Sequence, residues 1–434
     1  MGINRKIENL KNMVIVVLFL TAILLLYLLW TPDLKNIGAD VLRDLTSSSK
    51  ELPQAQQLVQ PLYGAVSAGD GSFVMYTDGA DAMMTAAQQE LGAFLAQDSY
   101  TVQAISASLY QQAMAGWESV QLEMGYGFPL ADFCRYFCGR SPDGVEEILF
   151  DTLAFSTASA ESFFVVDRSA GKFYRIVCSE ARDAVAAVAA AAGTPLSPCY
   201  AGSDILGGGD ALICLSAESS LAPAAYTAEG GGRYIQKGST IAERIFGDTF
   251  DFVRRITDTY GNVTYMYGYG EKTFYASIAG RYVYRTDSEG KDATGLFDDL
   301  TSALQSLSQW GGLDPGDLSI VLIDYDETGA GRVRARTFYF GLMSGNTRIF
   351  GDDICFAQVT VVGGSVTEML RRLIEAQPAA AADQKEAAQP ANVSANNSNH
   401  IYNILSNNTL AVASDEAFET ASQQALTLVP GYYA

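Results

Sequence analysis

The first strong signal along the chain is an unbroken apolar run, Met13–Trp30 (MVIVVLFLTAILLLYLLW), about eighteen residues without a charge. That is the length at which one helix crosses the hydrocarbon core of a bilayer. The segment before it, MGINRKIENLKN, sets Arg5, Lys6 and Lys11 against the single acid Glu8. Basic flanks stay on the cytoplasmic side, so residues 1–12 are expected inside, 13–30 in the membrane and the bulk outside. A cleaved signal peptide shares the basic-then-apolar order. Its apolar part is shorter, roughly 7–15 residues, and ends at a small-x-small site, which WTPDLKN does not offer. The sequence thus predicts an uncleaved signal anchor. Tyr27 and Trp30 suit the membrane interface. Thr21 and Ala22 are the small or polar pair that a neighbouring helix would use, with Leu18 and Leu25 beside them. A tether needs only apolar length, and the residues alone favour that simpler role.

Past the anchor, residues 31–57 are polar and weakly patterned, as in a juxtamembrane stalk. The pattern firms from Leu58. GSFVMYTDG predicts a short strand and turn. Met83, Met84, Ala87, Leu91 and Leu95 recur at helical spacing, and Val102–Met124 predicts a second helix ended by Gly125 and Gly127. Phe155–Thr157 and SFFVVDRSAGKFYRIVC predict adjacent strands, the latter a hairpin turning at Asp167–Gly171. ARDAVAAVAAAAG predicts an Ala-rich helix closed by Gly193. Glycine triplets punctuate residues 199–232, suggesting loops around one strand, ALICLS.

The aromatic and β-branched stretch TYGNVTYMYGYGEKTFYASIAGRYVYRT then predicts an antiparallel meander. Leu296, Phe297, Leu300, Leu304 and Leu307 lie on one face of an amphipathic helix. LSIVLIDYD, RVRARTFYFGLM and ICFAQVTVVGG predict strands, VTEMLRRLIEA a short helix and ASDEAFETASQQALTL a final one. The expected fold class is α+β, antiparallel sheets packed with helices. The outer part divides into 58–220 (α+β), 221–290 (β-rich) and 291–434 (α+β), with a low-complexity insertion at about 376–399.

Composition is globular, with 48% hydrophobic and 18% charged residues, enough apolar material for real cores. The net charge of −21 repels phosphate backbones and anionic lipid surfaces, so nucleic acid is excluded as a partner. The six cysteines, Cys134, Cys138, Cys178, Cys199, Cys214 and Cys355, are even in number and would permit disulfides outside a cell. Cys134 and Cys138 sit at i and i+4 and could share a helix face. No C-x-x-C spacing occurs, and the single histidine, His400, cannot complete a zinc cluster with them. Buried small hydrophobes are the simpler reading of these side chains.

Several longer stretches resemble one family. The basic-NLK-apolar-W opening resembles the single-pass start of the YycH (WalH) family. LYQQAMAGWESVQLEMGYGFPLADF is similar to its helix leading into a Pro-containing loop, and TLAFSTASAESFFVVDRSAGKFYRI to its strand pair. FYFGLMSGNTRIFGDDICFAQVTVVGGSVTEMLRRLI resembles a unit shared by YycH and its sister YycI (WalI), which would make 291–434 a YycI-like part. The cysteines, the Ala-rich insertion and the Asn-rich loop depart from the pattern. The resemblance implies an anchored, extracytoplasmic regulator of the WalK sensor histidine kinase of Gram-positive bacteria. Such regulators control cell-wall metabolism partly through membrane-helix contacts and act beside a YycI-like protein. It carries no catalytic residue and no cofactor.

Motifs for chemistry are weak throughout. Ser47–Lys50 reads S-x-x-K, but it lies in the stalk and no K-T-G follows. His400 has no G-x-S-x-G elbow to serve. DYDETG at Asp324–Gly329 starts like a calcium loop, yet Thr328 and Ala335 occupy acid positions, and a turn between strands is the expected reading. Gly171–Lys172 precedes Phe173 rather than Ser or Thr, so it is no phosphate loop. The acid pairs Asp298–Asp299 and Asp352–Asp353 are expected on solvated faces. No residue is therefore expected to be catalytic, cofactor-binding or metal-ligating. A tethered envelope-binding module, taking a partner at an aromatic-rich strand edge, is the second functional expectation. An exported hydrolase would require two converging acids in a deep pocket.

Overall fold

This computed structural model describes residues 54–97, 99–195, 198–201, 212–214, 225–227, 232–287, 290, 294–310, 318–329, 334–344, 347–350, 356–372, 375–377, 390–391, 401–406, 408–413, 427–429 and 431–433. The anchor, residues 31–53 of the stalk and residues 414–426 of the predicted final helix lie outside them. The last three stalk residues, 55–57, open a short helix with Leu58, and Ala413 and Thr427–Leu428, at the ends of the predicted final helix, lie in strands. Among the described residues no helix is long and apolar enough to cross a membrane.

Residues 52–434 form one unit, built in chain order from α1 (Ala55–Leu58), β1 (Tyr63–Ala68), β2 (Ser72–Tyr76), α2 (Ala80–Leu95), β3 (Tyr100–Ile105), α3 (Ala107–Ala115), β4 (Glu118–Pro129), α4 (Leu130–Cys138), β5 (Leu149–Ser156), β6 (Ser162–Asp167), β7 (Lys172–Cys178), α5 (Ala184–Ala189), β8 (Pro198–Ala201), β9 (Leu212–Cys214) and β10 (Ala225–Thr227). Then follow α6 (Gly232–Phe246), β11 (Arg254–Thr257), β12 (Val263–Tyr267), β13 (Lys272–Ala276), β14 (Arg281–Thr286), α7 (Leu296–Gln309), β15 (Leu318–Thr328), β16 (Ala335–Ser344), β17 (Thr347–Phe350), β18 (Ala357–Val362) and β19 (Ser365–Arg372). The architecture is α+β, as expected: two large, mainly antiparallel sheets packed with helices.

The first sheet runs β9-β8-β2-β1-β4-β5-β6-β7-β3. One face carries α2, α4 and α5, and the predicted apolar stripe of α2 is buried there along with Phe94. The other face carries α3, whose Tyr110, Ala113 and Met114 cover Tyr63, Phe73, Phe164 and Phe173. Because both faces are covered, β5 and β6 read as continuous buried runs rather than alternating ones. Gly193 does not close α5, which ends at Ala189. It lies against Gly79, where a Cβ on Gly193 would stand 2.7 Å from the Asp78 carbonyl oxygen, a close approach only glycine permits.

The second sheet runs β11-β12-β13-β14-β19-β18-β16, with β15 and β17 also paired to β16. Register places Tyr265, Phe274, Tyr284, Met369, Val359 and Phe338 in one row across six strands. All six are buried under α6 and α7, the alternation expected of a sheet with one covered face. The predicted stripe of α7 is buried in full.

Two predicted helices are strands or broken by strands. Val102–Met124 divides into β3, α3 and β4. Ser106 caps α3 by accepting the Leu109 N–H, and α3 stops at Gly116, so the helical pattern was that of α3 alone. Gly125, expected to end a helix, has φ +78 inside a bulge of β4. VTEMLRRLIEA is β19, not a helix, through Arg372. Gly363 and Gly364, both at positive φ, turn the chain back into a hairpin with β18, and β14 pairs on the other side. Two strand partners override a helix-favouring composition. Neither α1 nor α6 was anticipated: α1 takes up the last residues of the predicted stalk, and α6 fills a stretch expected to hold a boundary.

Candidate functional site

Three features could do something chemical or recognise a partner: a buried acid pair, a buried ion pair and an exposed strand edge.

The acid pair arises where β4 bulges. Glu123 stands opposite Thr152 of β5, immediately before the register breaks. Asp151 precedes Thr152, and Arg168 projects back from the β6–β7 turn. The Arg168 backbone N–H donates to Asp151 Oδ2 at 2.8 Å, and its Nε donates to Glu123 Oε2 at 2.9 Å. Thr152 Oγ1 lies 2.9 Å from both Glu123 Oε2 and Asp151 Oδ1. A hydroxyl has one proton to give, so a carboxyl proton is needed to satisfy both contacts. Burial, then the negative Glu123, push the Asp151 carboxyl up to about 7, while Arg168 pulls the other way. Asp151 therefore keeps its proton well above the usual carboxylate range.

Glu123 is 5% and Asp151 8% exposed. A cavity of about 300 Å3 between β5 and α5 is lined by Phe155, Arg182 and Asp183 among others and by neither acid. The two acids that a hydrolase would require do converge, but under an arginine lid rather than in an open pocket.

A carboxyl whose folded pKa exceeds its unfolded value costs stability as pH rises between the two. For Asp151 that window runs from 3.8 to about 7. Asp151→Asn is expected to gain on the wild type across this window, by up to about 1.4 kcal/mol per pH unit, and to hold a constant advantage above it. Urea unfolding at pH 4.5, 6 and 8 measures the difference; a gap that does not widen with pH contradicts a proton held on Asp151.

The ion pair lies under the second sheet. Arg336 Nη1 donates to Asp299 Oδ2 at 2.6 Å and to the Thr294 carbonyl at 3.0 Å, while Nε donates to Glu327 Oε2 at 2.8 Å. Thr294 Oγ1 donates to the other Asp299 oxygen. Asp299 was expected on a solvated face; it is 1% exposed, and only Asp298 is exposed, its Oδ2 accepting the Gly295 N–H. DYDETG likewise is not a turn: Asp324–Thr328 belongs to β15 and pairs with β16. The Asp167–Gly171 hairpin is as expected, with Asp167 Oδ1 accepting from Ser169 and Ala170.

Cys134 and Cys138 share α4 as expected. Both are free thiols, as is Cys178. Burial pushes Cys134 well above the usual thiol range and Cys138 and Cys178 up to about 11. Such thiols are inert at neutral pH. Among the described residues no group of three or more His, Cys, Asp and Glu could hold a metal ion. The anchor residues Leu18, Thr21, Ala22, Leu25, Tyr27 and Trp30 lie outside the described residues, as do Ser47–Lys50, Asp352–Asp353 and His400.

The exposed edge is β11. It pairs with β12 on one side and, among the described residues, ends the sheet on the other. All four of its residues are exposed, and Phe252, Ile256, Tyr260 and Ile278 are exposed around it. Arg255 sits at the end of the buried aromatic row with its guanidinium over the Tyr265 ring. At the β12–β13 turn Tyr269 is 99% exposed. An open strand edge with apolar residues around it suits strand addition by another chain.

No protein-family model matches the sequence, and no curated protein matches it. Among solved structures, the crystal structure of YycH from Bacillus subtilis matches with a TM-score of 0.50 at 10% identity, covering 85% of this chain and 99% of that one. The part of the sequence resemblance that points to YycI has no such match. Nearly the whole of that chain is thus matched, at an identity that speaks for architecture alone. The chain has a YycH-like fold.

Proposed function

We propose that this chain is a membrane-anchored, extracytoplasmic regulator of a two-component sensor histidine kinase that controls cell-wall metabolism. It acts by protein contact beside a YycI-like protein and performs no catalysis. The observation that carries this reading is the fold likeness to YycH over 85% of the chain, joined to the apolar run Met13–Trp30 behind a basic flank. Control of a kinase requires contacts that differ between two kinase states. In the membrane, Leu18, Thr21, Ala22 and Leu25 form the contact face, and Tyr27 and Trp30 hold the helix at the interface.

Co-purification tests this. The kinase is expected to come down with the full-length protein, and most of it to be lost when Met13–Trp30 is scrambled at equal hydrophobicity. Equal recovery would reduce the helix to a tether.

One observation favours a second reading, a tethered envelope-binding module. The β11 edge is free of a partner strand among the described residues and is ringed by exposed apolar side chains. A kinase whose output ignores this protein would shift the account to that reading.

A further inference from the structure

Six cysteines leave many pairings open in the sequence; the strand register narrows them. Cys199 of β8 and Cys214 of β9 are register partners in an antiparallel ladder, followed by Tyr200 with Ile213 and Ala201 with Leu212. Directly opposed antiparallel residues have Cα atoms about 4.5 or 5.5 Å apart. Both values fall within the roughly 4.4–6.8 Å that a disulfide bridges without moving the backbone. Opposed residues also sit on the same face of a sheet. Cys134, Cys138 and Cys178 are free thiols held elsewhere, on α4 and β7. We infer that Cys199 and Cys214 form a cross-strand disulfide.

The placement gives the bond work to do. β8 is tied to β2 through three register pairs. β9 has only three residues, and beyond β8 its described partner is the strand 427–429, which it meets in parallel at Ile213 and Leu428. Strands this short are marginal alone. A covalent link at Cys199 fixes β9 to the sheet, and with it the place where the carboxy-terminal strands 401–406, 408–413 and 427–429 join.

The chemistry is thiol–disulfide exchange. With oxidised glutathione, one cysteine thiolate attacks the disulfide and expels a glutathione thiolate. The second cysteine then displaces the other glutathione, forming the S–S bond. Two electrons and two protons leave the protein on two glutathione molecules. In cells an extracytoplasmic disulfide oxidant takes the place of glutathione, so occupancy in vivo rests on the exported placement proposed above.

The test is full-length protein in detergent, equilibrated with oxidised and reduced glutathione, alkylated and mapped by mass spectrometry without reduction. A peptide linking Cys199 to Cys214 is expected, with Cys134, Cys138 and Cys178 alkylated only after unfolding. Reduction is expected to lower the unfolding midpoint by a few degrees in the wild type and to leave Cys199→Ser and Cys214→Ser unchanged. Six free thiols, or a bridge from either cysteine to any other, would overturn the pairing. Alkylation of intact cells reads the compartment separately. Free Cys199 and Cys214 there, with the bridge formed in purified protein, would uphold the pairing and tell against the exported placement.

Discussion

Asp299→Ala is expected to destabilise the protein by about 3–5 kcal/mol, the usual loss when one member of a buried ion pair is removed. Asp299 and Arg336 are 1% and 3% exposed, so water cannot replace the missing carboxylate. Arg336 would keep Glu327 and the Thr294 carbonyl as partners but would lose its contact with Asp299 at 2.6 Å. Asp299→Asn retains an oxygen acceptor at the same place and is expected to lose less. Replacing Asp299 and Arg336 together by Leu and Met should recover much of the loss, because buried pairs offset little more than their own desolvation. Urea unfolding followed by circular dichroism at pH 7 measures all three. A loss below 1 kcal/mol for Asp299→Ala would mean that water reaches the pair.

Phe297→Ala should cost a similar amount, about 3–5 kcal/mol, as expected for a large aromatic removed from a packed core. Phe297 belongs to α7, against the second sheet, yet its ring stacks on Tyr136 of α4 at 4.1 Å between centroids. It also meets Phe137 edge-on at 5.3 Å and Phe128 of β4 at 6.3 Å. One ring thus joins the helices of one sheet to those of the other, and the apolar core runs unbroken through both. Phe297→Leu keeps most of the volume and should cost less. Tryptophan fluorescence and circular dichroism should still report one transition in the wild type. A loss below 1 kcal/mol for Phe297→Ala would show that the two sheets are held together elsewhere.

Much of this core was legible because its helices are amphipathic and carry their own signal. Met83, Met84, Ala87, Leu91 and Leu95 repeat at helical spacing and are all buried. The same is true of the stripe from Leu296 to Leu307. The aromatic meander also declared itself, since a sheet with one covered face alternates. What failed were segments whose state is set by distant partners. β19 reads as a helix through Glu368, Met369, Leu370, Arg371 and Arg372, and becomes a strand because β14 and β18 flank it. β4 reads as the continuation of α3, and becomes a strand because β1 and β5 hydrogen-bond along it.

The chemical features were less legible than the fold. Asp299 looked like a surface acid because its partner Arg336 is 37 residues away in sequence. Glu123, Asp151 and Arg168 are likewise brought together only by strand register. The one hint was charged residues inside otherwise apolar strand patterns, FDTLAF and VQLEM. The pairing of Cys199 with Cys214 also depends on register rather than spacing.

The proposed function makes a demand that binding alone does not meet: the kinase must change its activity. The direct measurement is the phosphorylation of the kinase and its response regulator in cells carrying the full-length protein, cells lacking it, and cells carrying the version with Met13–Trp30 scrambled. The account predicts that deletion shifts the phosphorylated fraction and that the scrambled helix reproduces most of that shift. Identical phosphorylation in all three would contradict it.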